Sequence, residues 1–239
     1  MRFAKRKTIA AGTVGIILWY ASNSFAQPLL AIGPDAEVTS EDLHRVDRQI
    51  IDAAWVRSDL DLSQYTRVLY MPATVLFRDV RGRYNALNTN VENFPVTDQN
   101  KERLRTLFGE TFYEYVGSVE PFEMSDTVAR DVLMVQGFLV DVVSGVPPDI
   151  VGRTGAFIRR PWEASVTLEL RDSMSNTILA RTVDRQRVEG RFDLSELPRA
   201  TQFTVEGWSD LLRTRINELL DLGGGGWSRC QLHEQNCTP

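Results

Sequence analysis

Cys230, His233 and Cys237 are the residues whose types and spacing first suggest chemistry. Cys-x2-His-x3-Cys offers three soft ligands to a metal ion, but no fourth ligand stands nearby. In an oxidising compartment the default for Cys230 and Cys237 is a disulfide closing a small loop, with free thiols or a metal site as the alternatives. Such a disulfide stiffens a tail and does not hold a core.

Carboxylates are the second candidates. Glu163, Glu169, Asp172 and Glu189 lie around one expected hairpin. Glycosidases hold two carboxyl groups about 5 Å apart when retaining and about 6.5–9.5 Å apart when inverting. Sequence spacing does not supply that distance. Alternation with apolar residues makes these acids a solvated strand face. On the other arm, Arg181, Arg185 and Arg187 share one face and can pair with Glu163 and Glu169.

Nucleophilic catalysis has little to draw on. The only histidines are His44 and His233, and no Gly-x-Ser-x-Gly elbow is present. Residues 223–226 are four glycines, but they follow a helix instead of opening one, so they do not form a phosphate cradle. Arg153, Arg159 and Arg160 flank a Gly/Pro-rich loop at 144–161, where they could receive an anionic group or simply be solvated charge. Trp55, Trp162 and Trp208 adjoin apolar patterns and read as packing residues.

The elements that must position these residues follow from periodicity. Ser40 can cap a helix over 41–54, with Leu43, Val46, Ile50 and Ala53 or Ala54 near one face and His44 on its polar side. Residues 65–71 form a strand that Pro72 interrupts and 75–77 continue past a bulge. Residues 78–95 are a polar surface loop. Thr97 or Asp98 caps a helix whose stripe is Leu104, Leu107, Phe108, Phe112, Tyr115 and Val116, and Gly117 ends it. Residues 132–143 are apolar on both alternating sets, which suits a central strand, with Gln136, Gly137 and Asp141 as exceptions. A hairpin follows over 164–171 and 178–188. The last helix runs over 205–222 and stops at Gly223. The fold class is α+β: a single, mostly antiparallel sheet with two or three helices packed on it.

The compartment is read from residues 1–26. Arg2, Lys5, Arg6 and Lys7 form a basic head, 8–21 is a short apolar run, and Ser24-Phe25-Ala26 supplies a small-x-small exit. That order is a secretory signal peptide cleaved between Ala26 and Gln27, or an uncleaved anchor. The apolar run falls short of the roughly 20 residues a membrane span requires. Gln27 is not the cysteine that lipidation requires. The expected organisation is signal peptide 1–26, flexible lead-in 27–38, one α+β domain 39–222, and a Gly-rich joint with flexible tail at 223–239. Cleavage removes four bases and leaves 23 bases against 32 acids, a net charge of −9. So acidic a chain argues against nucleic acid as a partner.

Several segments together resemble a known family: 54–65 leading into 67–72, then 164–172, 178–181 and 206–213. In this order they are similar to the domain-of-unknown-function family 3313 of exported bacterial envelope proteins. The match covers about Trp55 to Leu222. The resemblance implies export and an envelope location, and it brings no activity and no catalytic residues. Members are commonly lipoproteins, a point on which this chain departs at Gln27.

The expectation is therefore an exported, periplasmic, non-enzymatic protein that binds another envelope protein, without a cofactor and without a span after signal removal. The alternatives are a small-molecule or lipid-binding module, or an enzyme using carboxylates or a metal.

Overall fold

The computed structural model describes residues 29–30, 37–47, 52–80, 93–147 and 157–224. The expected leader with its Ala26–Gln27 junction, Arg153, Cys230, His233 and Cys237 lie outside the described residues.

Among the described residues, ten strands and two long helices follow one another. Strand β1 is Leu29–Leu30, β2 is Leu43–Asp47, β3 is Ala53–Arg57 and β4 is Arg67–Phe77. Helix α1, Asp98–Gly117, is followed by β5 (Glu123–Met124), β6 (Val132–Ser144) and β7 (Phe157–Ile158). Then come β8 (Trp162–Asp172), β9 (Ile178–Arg187), β10 (Phe192–Asp193) and helix α2, Leu197–Gly224. Eight strands form one sheet in the order β1-β2-β3-β9-β8-β6-β4-β5, and β10 with β7 forms a small second one.

The sheet is mixed, which corrects the expectation of a mostly antiparallel one. Strand β4 runs parallel to both β5 and β6, while the remaining pairings in the large sheet are antiparallel. The reason is α1: a helix between β4 and β6 carries the chain back to the starting end, so the next strand runs the same way.

The expected helix over 41–54 is also overturned. Leu43 and Val46 belong to β2, and Ala54 and Val56 to β3, paired with each other and with β9. The same apolar positions suit a helix stripe, but pairing to β9, far away in sequence, decides the outcome. His44 thus sits on a strand, its Nε2 3.7 Å from Asp42 Oδ1. Part of the expected lead-in is in the sheet as well: β1 pairs with β2, and Val38 bridges His44.

Elsewhere local signals prevail. Thr97 caps α1 by accepting from the Asn100 N–H, and the strand interrupted at Pro72 carries a register shift between Met71 and Thr74. Helix α2 starts at Leu197, ahead of the expected 205, because Pro198 falls in its first turn, where a missing N–H costs nothing. It runs through Gly223, which is buried against Leu62, and Leu62 N–H donates to the Gly223 carbonyl at 3.3 Å.

Both helices pack on one face of the sheet. Helix α1 packs on β4 and α2 on β8, and Leu104, Phe108, Phe112 and Val116 of α1 share one core with Val205, Trp208, Leu212, Ile216 and Leu219 of α2 and with Trp162, Ala164, Val166, Leu168 and Leu170 of β8. Gly137 of β6 lets this layer close, because a Cβ there would stand 2.6 Å from the Phe112 ring. The alternate residues of β8, Glu163, Ser165, Thr167, Glu169 and Arg171, point to the other face, which neither helix covers.

Candidate functional site: an arginine-clad sheet face

Period-two alternation sets the residues of the helix-free face, and antiparallel register sets their partners. Glu163 stands opposite Arg187, Ser165 opposite Arg185, and Glu169 opposite Arg181. Arg185 grips Glu163 Oε1 through Nη2 at 2.6 Å and Nε at 3.0 Å. Arg187 Nε lies 3.2 Å from Glu163 Oε2, and Arg160 Nη1 lies 3.9 Å from the same oxygen. Glu169 is held by Arg171 at 2.5 Å and Arg181 at 2.7 Å, and Arg181 also reaches Glu41 at 3.8 Å.

The expected pairing of Glu163 and Glu169 with Arg181, Arg185 and Arg187 is therefore present. The expectation of a solvated strand face is corrected. Glu163 and Glu169 are buried, while Arg185 keeps 55% and Arg187 45% of its side chain exposed. The long arginine stems lie over the glutamates and put the guanidinium groups outermost. Burial raises the Glu163 pKa, but the hydrogen bond from Arg185 and the charges of Arg187 and Arg185 outweigh it, and the carboxyl is held below its ordinary value. A general acid at neutral pH needs the opposite shift.

Two further residues join this end of the face. A bulge in β6 between Val140 and Val143 places Asp141 in a left-handed conformation, φ 61°. Arg78 donates to the Asp141 carboxylate through both Nε and Nη2, and the guanidinium holds that carboxyl below its ordinary value. Bulges re-aim side chains, and Asp tolerates the left-handed region better than most residues. The sequence signal was a lone Asp inside an apolar strand.

Between the two glutamates one cross-strand row carries two apolar side chains. Phe138 of β6, Thr167 of β8 and Val183 of β9 lie in one cross-strand row, with Phe138 and Val183 half-buried. Toward β2, the Trp55 Nε1–H donates to Glu37 at 3.3 Å, and the Arg45 guanidinium stands 5.8 Å from the Trp55 ring centroid.

Among the other expected residues, Arg160 is brought to Glu163, whereas Arg159 is exposed and its carbonyl accepts from the Gly190 N–H at 2.9 Å. Asp172 has a turn role: it accepts from Tyr65 Oη at 2.9 Å and from Ser175 N–H at 2.7 Å. Glu189 is exposed. Trp162 and Trp208 are core residues, as expected.

On the helix side the sequence reading missed a buried ion pair. Arg215 of α2 donates through Nη2 and Nε to Asp184 of β9 at 2.7 and 2.8 Å, and through Nη1 to Glu218 at 2.8 Å. Asp184 and Arg215 are 3% and 4% exposed. Arg215 standing just before Ile216 in the apolar stripe was the available signal.

The fold and face define a two-layer α+β domain with an arginine-clad open sheet. No family model and no curated protein matches this chain. Among solved structures it is similar to the PelC dodecamer from Paraburkholderia phytofirmans, at 11% identity and TM-score 0.31, covering 67% of this chain and 95% of that one. A putative neuraminyllactose-binding hemagglutinin homolog from Helicobacter pylori matches at 8% identity and TM-score 0.34, over 75% of this chain and 94% of that one. A Xanthomonas campestris protein of family DUF330 matches at 9% identity and TM-score 0.35, over 70% and 92%. Scores at this level do not assign the chain to any of their families. Among the described residues no helix is long and apolar enough to cross a membrane.

Proposed function

We propose that this chain is a non-catalytic binding module of the bacterial envelope, exported by its basic-then-apolar leader, that presents the helix-free face of its sheet to a partner protein. The family 3313 resemblance points to the same compartment. One observation carries the reading: the half-buried apolar row of Phe138 and Val183 lies between Glu163 and Glu169, each buried under guanidinium groups. An apolar centre with arginine at its margin is the composition of protein interfaces. Glu163 and Glu169 are both tied into ion pairs, and the Glu163 carboxyl is held below its ordinary value, the wrong direction for a general acid at neutral pH.

The test is site-specific photo-crosslinking in intact envelopes. A probe at Val183 is expected to give one discrete adduct that Arg185→Glu/Arg187→Glu abolishes, while a probe at Glu110 on α1 gives none. Equal adducts from both faces, or none from Val183, would overturn the reading.

A further inference from the structure

A second surface stands at the other end of the sheet. Met174 is 60% exposed, Val128 57% and Met124 38%. These side chains are not on a loose loop. Ser173 Oγ donates to the Ala129 carbonyl at 2.7 Å and accepts from the Ala129 N–H at 3.2 Å, so the β8–β9 turn is tied to the segment ahead of β6. Asp172 Oδ1 accepts from the Met174 N–H at 3.1 Å and holds the turn. Arg67 grips Asp131 at 2.7 and 2.8 Å at the base of the segment. A tip whose backbone is already ordered avoids the backbone part of the ordering cost of docking.

The surroundings of this tip are acidic. Glu120, Glu123 and Asp126 are exposed, form no ion pair among the described residues, and outnumber the nearby Arg130. The arginine-clad face has the opposite balance. Arg78, Arg160, Arg185 and Arg187 stand there against Glu163 and Asp141, and Arg185 and Arg187 keep 55% and 45% of their side chains exposed. The two surfaces match in charge, and each carries apolar side chains.

One molecule cannot join them to each other. In β6, Leu133 lies opposite Asp172 at the tip and Val143 opposite Glu163. Ten residues of strand separate those positions, about 33 Å, several times the roughly 8 Å screening length at physiological salt.

We infer that the occupant of the arginine-clad face is a second copy of this chain, docked through its Met174–Val128 tip with Glu123 and Asp126 against Arg185 and Arg187. This rests on the binding-face reading above and names the partner within it. The contact joins two different surfaces, so it is heterologous and continues from copy to copy into a ring or an open chain.

Sedimentation velocity of the purified full chain over a concentration series, at about 50 mM and about 500 mM salt, tests the inference. Mass that rises with concentration at low salt and falls back at high salt is expected. Arg185→Glu/Arg187→Glu and Glu123→Arg/Asp126→Arg should each weaken association about tenfold or more. Mixed together, the two variants should assemble again, since each presents the charge the other lacks. Circular dichroism shows whether each variant is folded, and Met174→Glu offers a second route to the same loss. A monomer at every concentration would overturn the inference and leave the crosslinking test of the face standing. Assembly that neither variant weakens, or that mixing fails to restore, would overturn the assignment of these surfaces.

Discussion

Asp184 and Arg185 are consecutive residues of one strand that end in opposite environments. Asp184 points to the helices and pairs with Arg215 almost out of solvent; Arg185 points away, half-exposed over Glu163. The chemistry is the same, an arginine forked onto a carboxylate, but the dielectric differs. A buried pair has already paid a large desolvation cost, so its loss leaves an uncompensated charge. It acts as a pin that sets how α2 sits on β9. In the other pair the carboxylate is buried but the arginine is 55% exposed, so the guanidinium is solvated and screened, contributes less to folding, and stays available to a partner.

Breaking the buried pin should have the largest effect. Asp184→Ala is expected to cost about 3 kcal/mol, read from urea unfolding. An unchanged midpoint would mean that α2 is seated by its apolar stripe alone. Replacing both members, Asp184→Leu with Arg215→Met, should recover most of that loss, because neither charge of the pair is left buried alone and Glu218, which also loses Arg215, is part-exposed.

The surface cluster should answer more weakly and in a salt-dependent way. Glu163→Ala is expected to cost about 1 kcal/mol or less at low salt and less still at high salt. Asp184→Ala should cost nearly the same at both. Equal salt sensitivity of the two variants would erase the distinction between the faces.

Acid gives the smallest and most specific contrast. The Glu163 carboxyl is held below its ordinary value of 4.5 in the folded state. Its contribution is therefore complete above that pH and is lost as pH falls from there through the folded value. Unfolding free energy measured downward from pH 4.5 should decline, and Glu163→Gln should make the decline shallower. A parallel slope in the variant would place the acid sensitivity elsewhere, for example at Asp131, which Arg67 also holds low.

Much of this was legible along the chain. Alternation in β8 and β9 assigned Glu163, Glu169, Arg181, Arg185 and Arg187 to one face, and pairing across a hairpin follows from that. The cap at Thr97 and the break at Pro72 are local events that need no distant partner. Two readings failed because the deciding contact is remote. Leu43, Val46 and Ala54 fit a helix as well as two strands until β9 arrives beside β3. Glu163 and Glu169 alternate like solvated residues, yet arginine stems from β9 and neighbouring positions close over them. The Arg215–Asp184 pair joins residues 31 apart, so neither side chain alone signals the other.

The sequence by itself determined which residues share a face, where α1 begins, and that arginine and glutamate would meet across the β8–β9 hairpin. These depend on periods of two or 3.6 residues and on neighbours within one turn. Only the tertiary structure decided that β4 runs parallel to β6, that Leu43–Asp47 and Ala53–Arg57 are strands, that both helices take one face, and that an arginine-clad surface is left on the other. Those outcomes rest on contacts between distant segments and on which face two helices cover, and no local pattern contains either.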